Sequence, residues 1–161
     1  MIKDSGITLI EVVTVIALIV LVAYIIMSTD FSSYRSYSFR NERDSLIADL
    51  QRSRSEALNN ICFGTCTDGA SHGIHFQKDN QNNQYVNFQG TSWDTHDASL
   101  DEIISIHGAM QITGPTDVIF SNLSGDVDVT PSGSYNITLT DNMNHTSIIS
   151  LNSVGQIKWT N

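Results

Sequence analysis

The chain has 161 residues, enough for one domain of ordinary size, and 40% of them are hydrophobic, which is compatible with a packed core. Its formal charge is −9. An acidic surface repels phosphate backbones and so argues against nucleic acid as a general partner. The charge is unevenly placed. Arg35, Arg40, Arg43, Arg52 and Arg54 outnumber Glu42, Asp44 and Asp49 in one short stretch, whereas from Asn60 onward only Lys78 and Lys158 stand against ten acids.

Residues 7 to 27 form an apolar run with no glycine and no proline. At 21 residues it has about the length that a helix needs to cross a ~30 Å hydrocarbon layer. It is too long for a secretory signal peptide, and no small-x-small cleavage site follows it. One residue does not suit a plain anchor. Glu11 places a carboxylate inside the run, at a cost of roughly 2.5–3.5 kcal/mol on insertion scales, so it is a candidate functional residue.

The string Gly6-Ile7-Thr8-Leu9-Ile10-Glu11-Val12 resembles the processing motif of type IV prepilins and type II secretion pseudopilins. The resemblance implies cleavage after Gly6 by a prepilin peptidase. Ile7 would then be the new, methylated N-terminus, with Glu11 four residues behind it. It also implies storage as a single-pass protein of the inner (cytoplasmic) membrane, with the head outside the cytoplasm, and later entry into a periplasmic or extracellular filament. In such a filament the Glu11 carboxylate of one subunit can meet the Ile7 amine of a neighbour, which offsets the penalty of burying either charge alone. Two features depart from the usual pattern: Ile7 stands where phenylalanine is common, and Ser28 stands about where many major pilins carry a helix proline.

Past the apolar run the sequence turns polar but keeps a three- and four-residue beat through Phe31, Tyr34, Phe39, Leu46, Ile47, Leu50, Ala57, Leu58 and Ile61. The pattern predicts one nearly continuous helix from about Thr8 to Asn59, with Asp49–Arg52 and Arg52–Glu56 pairs on its exposed side. Within it, residues 47–58 (IADLQRSRSEAL) resemble the "L-x-x-A-R-S-E-A" stretch of GspH/FimT-type minor pilins and pseudopilins.

From Ile61 the pattern becomes period-two. It predicts strands at 72–77, 84–88, 102–107, 110–113, 118–121, 135–140, 147–151 and 156–159, separated by Gly, Asn, Asp and Pro131-Ser132-Gly133. Phe120 with Gly125, the later strands, and Val154-Gly155-Gln156-Ile157 are similar to the diffuse C-terminal pattern of the same group. The expected fold class is therefore α+β and pilin-like: a long N-terminal helix, its first half transmembrane, packed on an antiparallel sheet or small sandwich. The expected segments are a leader (1–6), a membrane or filament-core helix (7–27), its amphipathic continuation (28–59) and a β-rich head (60–161).

Cys62 and Cys66 lie just after the predicted helix end, in a compartment that permits disulfides, with Gly64 between them. A disulfide pinning the turn is the expectation, free thiols are the alternative, and a metal would need further ligands. His72, His75, His96, His107 and His145 show no metal-ligand spacing, and His72 and His75 fall on opposite faces of one strand. Asp126 and Asp128 beside Gly125 could belong to a calcium loop, but two acids are better explained as a solvated turn. No nucleophile–base pair, phosphate loop or paired-carboxylate signature is present, so neither an enzyme nor a cofactor is expected. The resemblance implies other pilin or pseudopilin subunits as partners, in a non-catalytic subunit that initiates assembly or contacts cargo at a tip. The alternatives are a major pilin and a DNA-uptake subunit, for which only Lys158 beside Trp159 offers a basic contact.

Overall fold

The computed structural model describes residues 8–28, 32–65, 70–78, 83–106, 110–129 and 133–160. The chain divides into two compact units, Met1–Arg35 and Ser36–Asn161.

The first unit contains helix α1 (Leu9–Ser28). Leucine, isoleucine, valine and alanine dominate it, nothing in it breaks the backbone ladder, and its 20 residues extend about 30 Å. Leu9–Ile26 is long and apolar enough to cross a membrane. The junction that a single continuous helix would need, residues 29–31, lies outside the described residues, and a second helix, α2 (Ser32–Leu58), is found beyond it.

In the second unit α2 supplies one wall of the core. Phe39, Leu46, Ile47, Leu50 and Ala57 are buried at helical spacing, with Leu50 and Ala57 fully enclosed. The buried stripe differs from the apolar beat of the sequence at five positions. Arg43 and Ser53 occupy it, while Tyr34 stays exposed and Leu58 and Ile61 are more than a third exposed. Asp49 also departs from expectation. Rather than pairing with Arg52, it accepts a hydrogen bond from Tyr85 Oη at 2.5 Å. The expected Arg52–Glu56 pair is present at 2.9 Å, and Arg52 reaches Glu102 as well, at 2.7 Å. The helix ends in a left-handed cap. Asn60 has φ +54°, and the Ile61 amide bonds back to the Glu56 carbonyl at 2.9 Å.

Among the described residues eight strands follow: β1 (His72–Lys78), β2 (Asn83–Gln89), β3 (Glu102–Ser105), β4 (Gln111–Thr113), β5 (Asp117–Phe120), β6 (Ser134–Thr140), β7 (Thr146–Asn152) and β8 (Ile157–Thr160). All eight fall on predicted segments, displaced by a residue or two at their ends, and β3 stops at Ser105, two residues short of the predicted end. They form two antiparallel four-stranded sheets, ordered β3-β2-β1-β5 and β4-β6-β7-β8. The strict alternation of β7 (Ser147, Ile149 and Leu151 inward) and of β6 (Ile137 and Leu139 inward) explains why one face of each strand is buried. Both sheets turn apolar side chains into a single core with α2, joining Ile74, Phe76, Tyr85, Val118 and Phe120 of one sheet to Ile137, Leu139, Ile149 and Leu151 of the other. Truncating a fully buried residue such as Leu50 to alanine there would cost about 2–5 kcal/mol.

The opposite face of the first sheet is also covered. Val86 and Phe88 are buried, and the 90–101 segment, with 3-10 turns at Trp93–Thr95 and Ala98–Leu100, brings Trp93 and His96 against Phe88.

Candidate functional site

Gly6 and Ile7 lie outside the described residues. Glu11 occupies the first turn of α1, where the helix dipole favours a carboxylate. Its backbone is capped by the Thr8 carbonyl at 3.0 Å, and among the described residues its side chain has no partner. It is thus a lone acid on a helix whose other described side chains from Leu9 to Ile26 are exposed and almost all apolar.

Cys62 is disulfide-bonded. The chain has one other cysteine, Cys66, which lies outside the described residues, as does His107. The remaining histidines are all engaged. His72 is buried, donates from Nε2 to the Ile61 carbonyl at 2.7 Å and faces Glu56 on α2. His75, on the other face of β1, sits 2.6 Å from Asp117. His145 lies 2.7 Å from Asp141, whose carboxylate also accepts the backbone amides of Met143 and His145. Burial would raise the Asp141 carboxyl, but these bonds outweigh it and hold it below the usual range. Asp126 and Asp128 are exposed, and among the described residues no three His, Cys, Asp or Glu side chains are grouped to hold a metal.

An arrangement not apparent in the sequence is the stack around Trp93. Its indole stacks with two imidazoles, His75 at 3.8 Å and His96 at 4.2 Å between ring centroids. His96 is held by the Trp93 carbonyl and by Asp101 at 3.0 Å. Burial alone would lower the His96 pKa. The bonds to Asp101 and Trp93, with the charges of Asp101 and Asp97, overcome that and raise it.

The second arrangement joins motifs that are far apart in the chain. Arg54, from the Arg-Ser-Glu-Ala string, lays its stem across Gly125 and Gly155. A Cβ on Gly155 would stand 2.1 Å from the Gly125 carbonyl oxygen and 2.8 Å from Arg54 Nε, and one on Gly125 would meet Leu58 at 2.8 Å and Arg54 Cγ at 3.3 Å. Both glycines have positive φ, +64° and +70°. Ala57 of the same string is fully buried, and its carbonyl accepts the Leu123 amide at 2.9 Å. Glu56 takes Arg52 and faces His72. The string therefore fastens the end of α2 to the turns that follow β5 and β7. Arg54 Nη2 donates to the Val154 carbonyl at 3.1 Å, but its buried Nε has no hydrogen-bond partner among the described residues, a deficit worth about 1–3 kcal/mol.

Beside this junction runs a groove of about 710 Å³ between α2 and β8, with Gln51, Arg54 and Leu58 on one wall and Gln156, Ile157 and Lys158 on the other. The Lys158 ammonium has no partner among the described residues, and β8 is the edge strand of its sheet.

An apolar N-terminal helix, a second helix on the core and antiparallel sheets beneath it define a pilin-like α+β fold. Two crystal structures of the type IV minor pilin FimU of Pseudomonas aeruginosa (strain PAO1) share it. The one in space group P21 has a TM-score of 0.60 at 15% identity over 82% of this chain and 93% of FimU; the one in P65 has 0.55 at 15% identity over 76% and 92%. At that identity the likeness is one of fold. No protein-family model and no curated protein sequence matches the chain.

Proposed function

We propose that this protein is a non-catalytic filament subunit of the minor pilin or pseudopilin class, serving a type IV pilus or a type II secretion system. The observation that carries the reading is a Glu11 without a partner among the described residues, on the first turn of an apolar helix in a chain whose fold matches a minor pilin. A prepilin peptidase removes residues 1–6 after Gly6. The new Ile7 α-amine supplies a cation at the edge of the apolar phase, and the Glu11 carboxylate of an adjacent subunit pairs with it. An unpaired charge in that setting costs several kcal/mol, so only the axial register that makes the pair is tolerated. The Arg54–Gly125–Gly155 junction keeps the head rigid on α2, and the head presents an acidic surface outward. Cys62 pairs with Cys66 to close the turn after α2.

The test is the mass of the mature N-terminus. The reading predicts a chain beginning at a methylated Ile7, and retention of the leader when Gly6 is replaced by tryptophan. A mature protein that still begins at Met1 in the presence of an active prepilin peptidase would sink it.

A further inference from the structure

The groove between α2 and β8 has three properties that belong together. First, β8 sits at the end of the strand order β4-β6-β7-β8, so its outer edge offers main-chain N–H and C=O groups that no described residue pairs with. Four residues of strand span about 13 Å, enough to register a short extended segment. Second, the wall opposite is α2, which gives that segment a side to lie against. Third, the groove is positive in a chain of charge −9. Arg54 and Lys158 both line it, and neither forms an ion pair with a described carboxylate, whereas Arg43 and Arg52 do.

We infer that this groove binds an extended, acidic segment of a partner protein, which adds as a strand to the free edge of β8 and places a carboxylate against Arg54 and Lys158. Main-chain hydrogen bonds along β8 supply affinity, and the two cations select acidic over basic sequences. Lysine on an edge strand also discourages unwanted sheet pairing. That role accounts for Lys158 alone; it leaves Arg54 on the facing wall and the groove itself unexplained. Nucleic acid fits less well, because affinity for a phosphodiester backbone grows with the number of phosphates neutralised and only two cations are available on an acidic head. The inference does not depend on which filament the chain serves.

The test uses the full chain in a neutral detergent and fluorescence anisotropy of a labelled ten-residue peptide that alternates Thr and Glu. Four companions are a Thr/Lys peptide, the Thr/Glu peptide with alternate amides N-methylated, a ten-nucleotide oligo-dT, and the same acidic peptide against Lys158→Glu and Lys158→Ala. Lys158 is exposed, so neither variant threatens folding. The expected result is saturable binding of the acidic peptide alone. N-methylation abolishes it, and Lys158→Glu weakens it about fivefold or more, in keeping with reversal of a partly exposed charge. Four outcomes overturn the inference: no binding of the acidic peptide, equal binding of the lysine peptide, tighter binding of oligo-dT, or indifference to Lys158→Glu.

Discussion

Gly155 carries the close approach of the two turns over which Arg54 passes, and replacing it with alanine isolates that approach. Its φ of +70° costs an L-residue about 1–2 kcal/mol. The added Cβ would lie 2.1 Å from the Gly125 carbonyl oxygen, a backbone atom with no rotamer to give, and 2.8 Å from Arg54 Nε. Separating the turns adds an overpacking penalty of about 1–3 kcal/mol, for a total near 4 kcal/mol. Gly133 is the matched control. It has a nearly identical φ, +72°, and nothing within 4 Å of its notional Cβ, so Gly133→Ala carries the conformational term only, again about 1–2 kcal/mol. Thermal melting of the full chain in detergent, followed through its β-sheet circular dichroism, should show Tm falling by about 10–15 °C for Gly155→Ala and about 3–5 °C for Gly133→Ala. Equal losses at the two sites would mean that the turns do not press on Arg54, since the difference between them is the packing of Arg54 against its two glycines.

Tyr85→Phe removes the donor to Asp49 and strands a partly buried carboxylate, so unfolding free energy should drop by about 1–2 kcal/mol in a denaturant titration. Burial first, and then the Asp49 bond, pushes the Tyr85 hydroxyl far up, so its phenolate absorbance should stay silent in an alkaline titration until the head unfolds. His96 has a folded pKa above its ordinary 6.5, so protonated His96 contributes stability that is complete below 6.5 and is lost as pH rises through the raised value. In a Trp159→Phe background, Trp93 fluorescence should be quenched on the acid side and recover with a midpoint above 6.5, and His96→Gln should shift or erase that transition. Non-reducing peptide mapping should recover Cys62 joined to Cys66, and reduction should cost about 2 kcal/mol, as expected for so short a closed loop.

The strand pattern was legible because β1, β6 and β7 alternate cleanly and the turns between them carry Gly, Asn and Asp. The stripe on α2 was harder to read. Burial follows geometry at 39, 43, 46, 50, 53 and 57, and the chain fills two of those positions with Arg43 and Ser53, which an apolar count passes over. Asp49 could be placed on the helix but not given to Tyr85, because that contact joins residues 36 positions apart. The same holds for the Trp93 stack, where His75 and His96 come from different segments and only the fold of the 90–101 loop brings them to one indole. The Arg-Ser-Glu-Ala string and the two distant glycines were visible as separate motifs. Their meeting at Arg54 was not. Glu11 stood out in the sequence because a lone carboxylate in an apolar run has no local explanation, and none of the described residues on α1 pairs with it.

The filament reading rests on that carboxylate, and Glu11→Ala tests it most directly. Sheared filaments from cells expressing the wild-type or the variant chain would be probed for this subunit, with membrane levels and leader removal measured alongside. Glu11→Ala should be processed after Gly6 and held in the membrane but be absent from the filament fraction. Incorporation of the variant at the wild-type level would contradict the filament reading.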